Sequence, residues 1–344
     1  DSSLKTQGQS VTLIYVDGTK GWQDIHDSTS DVTGQSFVAA TGGNTTLTVG
    51  DYKTHIFTGN GCFQVTSAGT PSGSTAIEYL VVAGGGSGGA GRAGGGGAGG
   101  FRTYMSGPGC NSPLNAPAAI TASVATFPIT VGGGAAAVPS SPNQQGASGT
   151  ASTFSTITSA GGGGGGSAQS APVRPGEAGG SGGGGGGPGA SGGAGNTPPV
   201  SPAQGTNGGN SCHSSPGYGT GGGGGAGGVG NNGSSTSGGV GGVGSFMVSA
   251  GFAGTCHGTA GPVTGARYFS GGGSGSTYQG GTVSGPPAGG GGEGKTTPVG
   301  DTAPVQGAVN TGGGGGSVSE SSGSTGGSGG SGGSGIVIIR YKFQ

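Results

Sequence analysis

The sequence predicts a mainly β and irregular fold, in which a small β framework holds a bundle of polyglycine II helices with almost no α-helix. Three observations carry that expectation. Glycine makes up 100 of the 344 residues, about four times its usual share. It is also concentrated: residues 1–82 hold 11 glycines, residues 83–335 hold 89, and residues 336–344 hold none. Finally, no stretch repeats apolar residues at a sustained 3.6-residue period, whereas β-branched and aromatic runs flank the glycine on both sides.

In chain order, Val11 to Val16 reads as a strand closed by the turn signal Asp17-Gly18. Gly42-Gly43-Asn44 and Gly59-Asn60-Gly61 mark further turns, with short strands at Thr45 to Val49, Tyr52 to Thr58 and Cys62 to Thr66. Ala76 to Ala83 is the strongest strand before the glycine, and its apolar residues fall on both faces, which suits a strand covered on both sides. Ile336 to Phe343 is its counterpart at the other end. Both abut glycine, so the simplest arrangement pairs them and makes everything between one long insertion. The expected organisation is therefore residues 1–50 as the end of an upstream β module with a linker, and 51–344 as a glycine-rich domain. Its framework comprises 51–83 and 336–344, and its bundle with loops 84–335. The start at Asp1, without a leader-like segment, reads as a fragment or a processed product.

Three readings of the glycine body compete. Collagen requires glycine at every third position, and the six-residue runs Gly161–Gly166 and Gly182–Gly187 break that rule. A flexible coil fits the composition, because glycine loses the most backbone entropy on ordering. A bundle of extended helices with three residues per turn fits the spacing. Such helices have no internal hydrogen bonds, so every N–H and C=O points outward to a neighbour that only glycine lets close enough. Non-glycine clusters would then form the turns, and Ser328, Ser331 and Ser334 would share one outward edge. The bundle is the reading adopted, with disorder and β-rich stacking as its rivals.

The composition also limits function. One Trp, two Met, ten Phe and eight Tyr cannot fill the cores that a chain of this length normally has. Ten basic and eleven acidic residues leave a net charge of −1, without the basic stripe of a nucleic-acid surface, and no apolar run reaches the ~20 residues of a membrane span. The expectations are no enzyme, no nucleic-acid partner and no membrane insertion.

Several phrases are familiar. Tyr52 to Val65 and Glu78-Tyr79-Leu80-Val81-Val82-Ala83-Gly84-Gly85-Gly86 resemble the opening of the glycine-rich domain of tailed-phage virion proteins, those of marine cyanophages in particular. Phe127 to Gly134 and Ser152 to Gly161 resemble its internal phrases, Gly332 to Tyr341 its ending, and Val11 to Trp22 the last hairpin of a bead-like β module preceding it. The match runs through most of the chain in order. In composition the chain is also similar to the polyglycine-helix distal adhesins of T-even-like phages, although its intervening loops are long and only modestly aromatic. The resemblance implies a non-enzymatic tail-fibre or tail-tip structural protein located in the virion. Its N-terminal region would join other fibre or tail proteins, with homotrimerisation open, and a host-cell glycan or protein would be the ligand. A passive extracellular or cell-envelope fibre is the structural alternative. An ice-binding protein, the other alternative, requires a regular Thr array that this sequence lacks.

The motifs that suggest chemistry are weak. Gly289 to Thr296 satisfies the P-loop pattern GxxxxGK[ST], but Pro286-Pro287 and Pro298 crowd it and glycine is abundant enough to supply it by chance. Cys212-His213 and Cys256-His257 pair metal-ligating residue types, but neighbours on extended chain point to opposite sides, and Cys62, Cys110, Cys212 and Cys256 show no CxxC spacing. A Cys212–Cys256 disulfide and free thiols both remain open. No cofactor, metal or catalytic residue is assigned; His26 and His55 read as ordinary residues, and Asn44 and Asn232 head formal glycosylation sequons. Aromatic islands within the glycine read in two ways, as plugs at the bundle ends or as loop residues that contact a receptor. On the second reading the candidate receptor-binding residues are His213, Tyr218, His257, Tyr268, Phe269 and Tyr278.

Overall fold

The computed structural model describes residues 11–19, 21–27, 36–106, 112–139, 144–167, 173–212, 214–248, 257–278, 281–282, 285–295, 305–319 and 327–344. Its strands are β1 (Val11–Asp17), β2 (Gly21–Asp27), β3 (Val38–Thr41), β4 (Thr45–Val49), β5 (Tyr52–Phe57), β6 (Gly61–Ala68), β7 (Ala76–Val82), β8 (Phe101–Tyr104), β9 (Ile120–Thr121), β10 (Ala125–Thr130), β11 (Ser152–Phe154), β12 (Ile157–Ser159), β13 (Ser245–Met247), β14 (Arg267–Phe269) and β15 (Ile336–Lys342). Among the described residues there is no helix, so no helix of the length and apolarity needed to cross a membrane.

β1 and β2 form a separate hairpin in which Tyr15 lies opposite Trp22. Two sheets build the framework. One runs β4-β5-β15-β7-β8, with β9 also on β7, and the other runs β12-β11-β10-β6-β3. The expected closure of the insertion is present: β7 and β15 pair antiparallel, Val82 opposite Ile336 and Tyr79 opposite Ile339. Both faces of this pair are covered. Tyr79, Val81, Val337, Ile339 and Tyr341 meet Phe63, Val65, Ile129 and Phe154 of the second sheet. The alternate residues Leu80, Val82, Ile336 and Ile338 pack with Phe101, Met247 and Phe269 at the root of the glycine segments. This two-sided burial is why the strands read as continuous apolar runs rather than alternating ones. The expected boundary between residues 50 and 51 instead falls inside the framework. β3 pairs with β6 and β4 with β5, and Val38 and Ala40 are buried in the shared core. Val-Ala-Ala-Thr is too short, with two central alanines that favour strands little, to have announced this strand.

Between the strands the chain runs away from the framework and returns repeatedly, and its hydrogen bonds reveal the helical period. Along 94–100, the N–H groups of Gly94, Gly97 and Gly100 donate to the carbonyls of Gly166, Gly163 and Ala160. Those of Gly95 and Ala98 donate to Gly221 and Gly224, and those of Gly96 and Gly99 to Gly315 and Gly312. Every third residue therefore faces the same neighbour, as three residues per turn requires. Its carbonyls accept in turn from 83–90 (Gly86 to Gly97), 181–187 (Gly184 to Gly95) and 270–278 (Gly273 to Gly96). The backbone ladder satisfies the polar groups that burial would otherwise orphan. A Cβ built on Gly94, Gly95 or Gly96 would lie 2.1, 2.1 or 2.2 Å from a carbonyl oxygen of three different neighbours, so glycine is required on every side. Ser328, Ser331 and Ser334, every third residue of 327–335, are each half-buried, whereas Gly329, Gly330 and Gly333 are buried.

A histidine ties the framework together. His55 Nδ1 lies 2.6 Å from the Gly42 carbonyl, which accepts its proton, and Nε2 lies 3.0 Å from the Tyr341 hydroxyl. The Ala40 N–H donates to that same hydroxyl at 3.1 Å. Burial pushes the His55 pKa below its ordinary 6.5, with the Gly42 bond opposing and Lys53 adding to the fall. A pKa depressed in the folded state means that stability is complete above about pH 6.5 and is lost as pH falls below it. The urea midpoint is expected to be flat from pH 8 to about 7 and to drop towards pH 5. His257, whose pKa is also lowered by burial first and Arg267 second, acts with the same sign. His55→Phe should flatten most of the slope, and an unchanged slope would exclude His55 as its source.

Candidate recognition surface at the free end of the bundle

Because the segments alternate in direction, their reversals gather at two ends. At the framework end, Ala226 is packed in the core beside Phe269. At the free end lie the reversal 91–93, the reversal 187–189 and the stretch 214–218. Gly187 N–H donates to Arg92 O at 2.8 Å, and Cys212 N–H to Gly219 O at 2.8 Å. Tyr278 ends the outward segment 270–278, and its N–H donates to Gly217 O at 2.7 Å.

The predicted site residues divide between these ends. Tyr218 and Tyr278 come together at the free end, with ring centroids 6.2 Å apart and planes at 66°. Tyr268 and Phe269 lie at the other end, since the nine residues from Phe269 to Tyr278 span about 28 Å at the rise of such a helix. Both are enclosed: Tyr268 is 4% and Phe269 0% exposed. Phe269 belongs to the core around Ile338. Tyr268 exchanges two backbone hydrogen bonds with Thr259, its hydroxyl accepts from Val263 N–H, and its ring packs on Phe246. Neither ring is available to a macromolecular ligand, which corrects that part of the expectation. Aromatic residues beside a glycine segment do not reveal which end of it they occupy, and here the apolar framework claimed them. His257 is half-buried at the same end, its carbonyl accepting from Arg267 Nε at 2.8 Å. His213 lies outside the described residues.

Sequence reasoning missed Arg92, the centre of the free-end cluster. Its guanidinium carbon lies 3.8 Å from the centroid of Tyr278 and 5.6 Å from that of Tyr218. Arg92, Pro188, Cys212 and Tyr218 line a small niche there. Both Arg92 (φ 45°) and Tyr218 (φ 43°) adopt left-handed backbone, a conformation that costs a side-chain-bearing residue about 1–3 kcal/mol. Two such residues in one cluster mark it as a place where the bundle imposes geometry. A signal was present in the sequence: Arg92 is the one charged residue between Glu78 and Arg102, in a run where every other interruption is Ala or Ser.

Among the described residues of the P-loop pattern, 289–295, the backbone forms no phosphate cradle. Gly292 N–H donates to Gly314 O and Lys295 N–H to Ser317 O, while Lys295 Nζ pairs with Glu293 Oε2 at 3.0 Å. Cys62 and Cys212 are free thiols, Cys110 and Cys256 lie outside the described residues, and among the described residues no group of His, Cys, Asp and Glu gathers to hold a metal ion.

A β framework closing a backbone-bonded glycine bundle defines a glycine-rich scaffold with a displayed end. The chain matches the family model described as a glycine-rich domain over residues 61–342 and belongs to that family. No curated protein matches it significantly.

Proposed function

We propose that the chain is a non-enzymatic adhesin module of a phage tail fibre or tail tip, located in the virion, that presents host-recognition turns on a rigid polyglycine bundle. The observation that carries this reading is polarity. Ser36 and Lys342 both belong to the framework end, so upstream fibre or tail partners attach there. The turns holding Arg92, Tyr218 and Tyr278 point the opposite way. Recognition residues commonly sit on loops positioned by a rigid support, and tyrosine is favoured where binding energy concentrates. The strand phrases that resemble those of tailed-phage proteins suggest the setting.

Two measurements test it. Immunogold against residues 83–335 should label fibre or tail tips of phage particles, and label confined to cells or free filaments would overturn the virion setting. The fluorescent chain should attach to cells of a susceptible strain within a bacterial panel, and Tyr218→Ser with Tyr278→Ser should cut attachment at least tenfold. Equal attachment by the double variant would leave a passive fibre as the better reading.

A further inference from the structure

Resting on that adhesin reading, we infer that Arg92, held between Tyr218 and Tyr278, is the anion-recognising centre of a glycan subsite, and that the ligand is a polysaccharide bearing carboxylate or sulfate groups. The guanidinium lies against the Tyr278 face at 3.8 Å. Stacking fixes its plane while leaving the edge, with its forked N–H donors, free to bind a planar oxyanion bidentately. Among the described residues no carboxylate pairs with it: the ion pairs formed are Glu293–Lys295, Glu78–Arg340 and Asp51–Lys342. Its Nε is buried without a hydrogen-bond acceptor, an arrangement that natural structures rarely leave unexplained. The side chain is thus charged, with its buried Nε–H unsatisfied, at the displayed end of a chain with little charge elsewhere.

The surroundings suit a sugar better than a protein. The niche is small and flanked by two half-exposed tyrosine rings, and backbone bonds from Gly217 to Ser235 and from Tyr218 to Ser214 bring hydroxyl-bearing turns beside it. Aromatic faces with hydroxyls at the rim fit a pyranose ring. The cluster offers no broad apolar patch of the kind that protein interfaces bury at their centre.

The test is isothermal titration of the full chain with three oligosaccharides of equal length: an oligouronate, a sulfated oligosaccharide and a neutral oligoglucan. An Arg92→Gly variant serves as the probe, because glycine adopts the left-handed backbone at position 92 without strain and so preserves the fold. Binding of an anionic oligosaccharide but not the neutral one is expected, lost at least tenfold in Arg92→Gly and weakened in 0.5 M salt. The anion preferred identifies carboxylate or sulfate as the source. In the ¹⁵N spectrum the Arg92 Nε–H resonance should move on titration, a response that a merely structural arginine would not show. Binding of the neutral sugar as strongly as the anionic ones, equal binding by Arg92→Gly, or no binding of either anion overturns the inference. Cell attachment separates it from the broader reading. Attachment retained in Arg92→Gly but lost in the Tyr218/Tyr278 double variant fails the anion subsite alone, whereas attachment unaffected by both fails the adhesin.

Discussion

Replacing Gly96 with alanine is expected to unfold the bundle, whereas the same substitution at Gly285 is expected to leave it intact or slightly more stable. Glycine-to-alanine changes ordinarily stabilise by about 0.4–1 kcal/mol, through the entropy of the unfolded chain, wherever the native backbone admits a side chain. Gly285 meets that condition: nothing lies within 4 Å of a Cβ built there, and its backbone is not left-handed. At Gly96 the added carbon would sit 2.2 Å from Gly86 O and 2.7 Å from Gly86 C. Both obstacles are backbone, so relief requires separating two helices. That breaks the bonds from Ala83 to Gly100, from Gly86 to Gly97 and from Gly89 to Gly94, each worth about 0.5–1.5 kcal/mol net and more when its partner is left buried and unpaired. A loss of at least about 3–5 kcal/mol follows, in the exceptional range for a point substitution. Denaturant midpoints of the two variants decide it, and equal tolerance would mean that the segments are not packed as described.

The second large effect concerns a buried ion pair. Glu78 on β7 and Arg340 on β15 lie opposite each other in register, with Oε2 to Nε at 2.5 Å. Glu78 Oε1 also accepts from the Ser106 N–H at 2.8 Å and from the Ser106 hydroxyl, and Arg340 stacks over Tyr52 at 4.2 Å. Removing one charge leaves the other without compensation at a site where Glu78 is 3% exposed. Glu78→Leu or Arg340→Met should each cost about 3–5 kcal/mol, whereas the double variant should be neutral or more stable by about 1–4 kcal/mol, because desolvation of the pair offsets its attraction. A double variant less stable than the native chain would show that the pair contributes net stability instead, and strictly additive losses would show that the two charges are not coupled.

What the sequence could show depended on whether a feature was local. The closing strands announced themselves because residues buried on both faces must all be apolar, and Leu80, Val81, Val82 and Ile336 to Ile339 are. The bundle was legible because close backbone approach excludes side chains, and only glycine runs satisfy it. The pairing of β3 with β6 was not, since four residues carry too little pattern to predict a partner at least 23 positions away (Thr41 opposite Gln64 is nearest). Nor was the fate of Tyr268 and Phe269. Which end of a bundle an aromatic occupies depends on how many outward and return passes precede it, a global property. Arg92 was the reverse case, a lone charge in a glycine–alanine run that local reading could have flagged but whose tyrosine partners come from segments more than a hundred residues downstream.

Amide hydrogen exchange through residues 83–100 tests the central claim most directly, that backbone bonds between glycine helices order this body. The account predicts that the amides of Gly86 and of Gly94 to Gly100, donors to neighbouring helices, exchange as slowly as those of β7 and β15 and open only with global unfolding. Exchange at the rate of an unstructured chain, with β7 and β15 still protected, would contradict it and make the glycine body a tethered coil.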